Sequence, residues 1–133
     1  MRLAVGCLIG ILGAAAVQDE WKPLALAPLE AAPDSGTAAV GLTLTPSAGT
    51  IDIVIGVDNP CQAKITATQQ PHGAVVKIRL MGQPTDRKCP GQRIETYKAT
   101  VAGLKKKQYQ VIVYTADAKN HWRPWKAGVT DVP

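Results

Sequence analysis

Ile51-Asp52-Ile53-Val54-Ile55-Gly56-Val57 places a branched apolar side chain at every odd position, and Val40-Gly41-Leu42-Thr43-Leu44-Thr45 does the same at every even one. A period of two is the signature of a strand with one face in the core and one in water. Pro46-Ser47-Ala48-Gly49 separates the two runs with turn-forming residues, so the pair predicts two adjacent half-buried strands. Further candidates follow at Lys64 to Thr68, Val75 to Met81, Ile94 to Val101, Gln108 to Thr115 and Lys126 to Val132. In the second of these Val76, Ile78 and Leu80 point inward and Lys77 and Arg79 outward. No segment carries a helical period. Seven short strands with turn signals between them predict an all-β, antiparallel two-sheet sandwich.

The chain has 133 residues, 46% of them apolar and 19% charged, which suits one compact domain. Its start has another purpose. Met1-Arg2, the apolar run Leu3 to Gly13 and the small residues Ala14-Ala15-Ala16 have the layout of a cleavable secretory signal over residues 1–16. The run ending at Val17 falls short of the roughly 20 residues that a membrane-spanning helix needs. An uncleaved anchor is the alternative. Lipidation of Cys7 fits less well, because that cysteine sits near the start of the apolar run instead of after it. Cleavage leaves Cys61 and Cys89 as an even pair in an oxidising compartment, periplasmic or extracellular, and the economical reading is one disulfide. Asn59-Pro60-Cys61 and Cys89-Pro90-Gly91 put both in turns, so the bridge is expected to tie two loops. Two cysteines and two scattered histidines show no metal-ligand spacing, and no cofactor is expected.

Residues 17–37 differ in character. Prolines at 23, 28 and 33 exclude a helix and a central strand, which predicts an extended N-terminal arm. Acids outnumber bases in it, whereas from residue 38 onward 13 Lys and Arg face 6 Asp and Glu. The arm either lies as a tether on its own domain or docks Trp21, Leu24, Leu26 and Leu29 on another protein.

Val101-Ala102-Gly103-Leu104-Lys105-Lys106-Lys107-Gln108-Tyr109-Gln110-Val111-Ile112-Val113 resembles the E-to-F corner of immunoglobulin-like and fibronectin type III domains. There a Leu ends one strand and a Tyr opens the next. The resemblance implies a seven-stranded immunoglobulin-like β-sandwich over residues 38–133, with Leu104 and Tyr109 as the structural corner and the Tyr109 hydroxyl bonded back to its backbone. It covers 13 residues and speaks to fold, not function. Cys61 and Cys89 do not fall on strands B and F and strand C lacks a Trp, so an antibody-type inter-sheet disulfide is excluded.

With the seven runs labelled A to G, Cys61 lies in the B–C loop, Cys89 in the D–E connection, and the F–G loop should share their end of the sandwich. That loop holds His121-Trp122-Arg123-Pro124-Trp125. Arg87, Lys88, Arg93, Lys119 and Lys126 would lie nearby, giving a basic, aromatic pole clamped by a disulfide. Trp and Arg dominate interface energetics, so Trp122, Arg123, Trp125, Arg87, Lys88 and Arg93 are the candidate protein-binding residues. One of the two tryptophans is expected to cap the core instead. Lys105-Lys106-Lys107 falls at the other pole, a solvated turn by default and otherwise a contact for anionic lipid. The sequence holds no nucleophile elbow, zinc-protease motif or phosphate-binding loop, and its acids are scattered. These features predict a non-enzymatic exported module that binds another protein, as a membrane-extrinsic accessory subunit, and no nucleic-acid role. The alternatives are a binder of an anionic ligand or glycan through Arg87, Lys88, Arg93 and Arg123, and an enzyme inhibitor acting through the F–G loop.

Overall fold

A computed structural model describes residues 20–29, 40–82, 89–91, 93–116 and 119–133. The expected signal segment, most of the ends of the arm, and Arg87 and Lys88 lie outside these residues. The described chain is all-β and forms two sheets. In chain order the strands are β1 (Lys22–Leu24), β2 (Ala27–Leu29), β3 (Gly41–Ser47), β4 (Thr50–Asp58), β5 (Ile65–His72), β6 (Val75–Gly82), β7 (Ile94–Val101), β8 (Lys107–Ala116) and β9 (Trp122–Val132). One sheet runs β1-β5-β6-β8-β9 and the other β2-β7-β4-β3.

The period-two runs place their branched residues where expected. Ile51, Ile53 and Ile55 of β4 face Val76 and Ile78 of β6 and Val111 and Val113 of β8 in a single core, all essentially inaccessible to water. Burying side chains of this size contributes roughly 1.5–3 kcal/mol each, which is why the alternation fixes the faces.

Three expectations need correction. There are nine strands among the described residues, not seven, because the arm supplies two of them. β1 pairs with the edge of β5, with Pro23 opposite Thr68, and β2 pairs with the edge of β7, with Pro28 opposite Tyr97. Proline lacks a ladder N–H, so edge strands are where such sequences fit. Leu24 is only 6% exposed and belongs to the core, Leu26 packs against it, and Leu29 remains 41% exposed. The segment thus crosses from one sheet to the other and covers one edge of each, as unpaired edges require.

Second, the sandwich is not wholly antiparallel: β6 and β8 pair in parallel, with Ile78 opposite Val113. The chain leaves β6 for β7 in the facing sheet and returns as β8 beside β6, and such a crossover makes neighbours that run the same way. Periodicity reports which face a residue occupies and is silent about which strand lies beside it. Third, the last strand begins at Trp122, so both tryptophans of the expected loop are strand residues.

At the side away from β1 and β2, β9 closes onto β3. Gly128 lies at this closure, where a Cβ would come within 2.9 Å of Leu44 Cδ1, the movable end of that side chain. The corner after β7 has Gly103 at φ +74, followed by Leu104, whose N–H donates to the Gly49 carbonyl at 3.0 Å. The buried Tyr109 hydroxyl accepts from the Lys105 N–H at 2.9 Å, the bond expected of that corner.

Candidate functional site

The strand directions bring the ends of β4, β6 and β8 to one end, with the described residues 59–64, 89–91, 93 and 119–121. Cys61 and Cys89 are joined there by a disulfide with a Cα–Cα separation of 5.2 Å. The loops that the sequence placed together are therefore together, and covalently linked.

Asn59 fixes the first of these loops. It is 6% exposed, and its Nδ2 donates to the Ala63 carbonyl at 2.8 Å and to Glu95 Oε1 at 2.6 Å, while its Oδ1 accepts from the Ala63 N–H at 3.0 Å. The Asn59 N–H donates to the Arg93 carbonyl at 2.7 Å, and the Arg93 N–H to Asp58 Oδ1 at 3.0 Å. These bonds tie Asn59 to its own loop and to Glu95 of β7, and Arg93 to the end of β4, so the loop after β4 is held to the start of β7. Tyr97 Oη donates to Glu95 Oε1 at 2.9 Å and Arg93 Nε to Oε2 at 3.4 Å. Burial pushes the Glu95 carboxyl up, but hydrogen bonds from Asn59, Tyr97 and Arg93, with the Arg93 charge, hold it below its ordinary value. Burial and then the bond to Glu95 push the Tyr97 hydroxyl up. Glu95 is therefore an anchored anion within a structural clamp.

Beside the clamp the sheets part to leave a cavity of about 610 Å³. Its walls include Val57, Ile65, Leu80, Met81 and Trp122, with Asp58 and Asn120 as polar members. The volume is in the range of sites that accept a small ligand or a partner's anchoring side chain. Met81, on its lip, is 37% exposed.

The two expected tryptophans separate into different roles. Val113 pairs with Lys126 and Tyr114 with Pro124, so Trp125 is the extra residue of a bulge and is turned against the core. Trp122 lines the cavity, and its ring centroid lies 4.9 Å from Arg79 Cζ. The same guanidinium is 4.2 Å from the Trp21 centroid. Arg79 thus joins Trp21 of the arm to the cavity wall, each contact worth roughly 0.5–2 kcal/mol depending on exposure. Sequence reasoning placed Arg79 only on an outward strand face. Its outward position in the middle of a strand was the available signal, but naming its neighbours requires the strand order.

Of the expected basic cluster, Arg87 and Lys88 lie outside the described residues. Arg93 is engaged with Glu95, and Lys126 lies 5.8 Å from the Trp125 ring centroid. Arg123 and Lys119 are exposed residues of this end with contacts of their own. Asn59, Met81 and Asn120 were missed by sequence reasoning, since an asparagine in a Pro-rich turn and a methionine ending a strand carry no distinguishing pattern. Comparison with protein-family models, curated proteins and solved structures finds no match.

Proposed function

We propose that this chain is an exported, non-enzymatic module that binds another protein at the disulfide-braced pole, as a membrane-extrinsic accessory subunit of a larger assembly. The supporting observation is the open apolar cavity with Trp122 in its wall, beside loops that a disulfide and the Asn59 clamp hold in place. Tryptophan in a partly desolvated pocket is the kind of residue that dominates binding energy, and a preformed pocket avoids the ordering cost of a flexible one. An apolar side chain of the partner fits the lining better than a charged group. Export accords with the disulfide and with the layout of residues 1–16. Trp122→Ala tests the reading: the variant should keep its disulfide and its cooperative unfolding, with a midpoint lowered only by the lost Arg79 contact, yet no longer copurify with a partner from detergent-solubilised membranes. Undiminished copurification would reject the pole as the contact.

A further inference from the structure

Among the described residues, the opposite end of the sandwich carries three turns, after β3, β5 and β7, beside the end of β9. Their tips carry Ala48 and Gly49, Gly73 and Ala74, and Ala102 and Gly103, so short side chains leave this end without ridges. On it stand Lys105, Lys106 and Lys107, all exposed. None of the three turns contains an acidic residue. Of the acids near this end, Asp52 is engaged by Thr100 Oγ1 at 2.8 Å and by Lys98 Nζ at 3.8 Å, whereas Asp131, opposite Gln108 in register, and Glu20, two residues before β1, enter no ion pair and leave the lysines in excess. The ion pairs among the described residues are Arg93–Glu95 and Lys98–Asp52, so the three lysines enter none.

The lysine corner is also held in place. The Leu104 N–H bond to Gly49 and the Lys105 N–H bond to Tyr109 fasten the turn on both sides, and Lys107 Nζ is 5.2 Å from the Tyr109 ring centroid. Three consecutive lysines that enter no ion pair, on a low end whose corner is fastened, match a planar anionic surface. A nucleic-acid strand would call for exposed aromatic rings among the lysines, and Tyr109 is buried.

We infer that this end docks on the anionic headgroups of a lipid bilayer. β8 runs between the two ends, and its ten residues span about 30 Å, so docking would hold the cavity roughly that far from the lipid. The inference goes beyond the proposed binding of a protein and does not depend on the cavity.

Each lysine near an anionic membrane strengthens partitioning roughly five-fold, so three give on the order of 10²-fold at moderate ionic strength. The test is co-sedimentation of the full chain with vesicles of equimolar phosphatidylcholine and phosphatidylglycerol, against vesicles of phosphatidylcholine alone. The second arm measures whatever the apolar run Leu3–Val17 contributes. The expected result is a preference for the anionic vesicles that fades with added salt and falls on the order of 10²-fold in K105Q/K106Q/K107Q. K64Q/K119Q/K126Q, with the same change in net charge at the other pole, should keep most of it, and Trp122→Ala should keep all of it. No preference for anionic vesicles, or equal losses in the two triple variants, would overturn the inference.

Discussion

Replacing both bridged cysteines, as C61S/C89S, should destabilise the domain without altering its native contacts. The bridge closes a segment with a sequence separation of 28. In the chain-entropy treatment, a loop of that length removes about 12 cal/mol/K from the unfolded ensemble, or roughly 3.6 kcal/mol at room temperature. That is a large share of the 5–15 kcal/mol typical of a native domain. At roughly 4–8 °C per kcal/mol for a domain of about 100 residues, the midpoint should fall by about 14–29 °C. The folded loops have a second fastening, because the Asn59 bonds to Ala63, Glu95 and Arg93 survive the change. Tryptophan emission from the folded variant should therefore match that of the parent. Urea unfolding followed by that emission gives the free-energy difference directly. A loss below about 1 kcal/mol, or native emission already shifted in the variant, would refute the assignment of the bridge to restraint of the unfolded chain.

Two other outcomes probe the arm and the clamp. Leu24→Ala removes a core side chain and should cost about 2–4 kcal/mol in denaturant unfolding, whereas Leu29→Ala, at a half-open edge, should cost well under 1 kcal/mol; equal effects would mean that the arm is not part of the core. The Glu95 carboxyl is held below its ordinary value of 4.5 in the fold, so its contribution is present above that pH and is lost as pH falls through the folded value. Glu95→Gln should accordingly flatten the acid limb of a stability-against-pH curve, and an unchanged limb would contradict the clamp.

Much of this architecture was legible in the residues. Ile51, Ile53 and Ile55 announced a core face, because a one-residue slip would put all three in water. Cys61 and Cys89, each beside proline, announced linked loops, and the Leu104–Tyr109 pair announced a tethered corner. What stayed hidden were relations between strands. The parallel pairing of β6 with β8 depends on the order in which the chain returns to a sheet, which no local pattern encodes. The arm read as a separate extension since its prolines bar a central strand, yet the same prolines suit edges, and only the unpaired flanks of β5 and β7 decide between those outcomes. Trp122 and Trp125 were equivalent in sequence, and a single bulge residue sends one to the core and leaves the other at the cavity.

Site-specific photo-crosslinking offers the most direct measurement of where a partner sits. A photoreactive residue in place of Met81, on the lip of the cavity, should trap one protein of defined mass in the native membrane fraction. The same residue in place of Val129, 60% exposed and on the far half of β9, should trap none. Capture from position 129 with none from position 81 would contradict the assignment of the contact to the disulfide-braced pole.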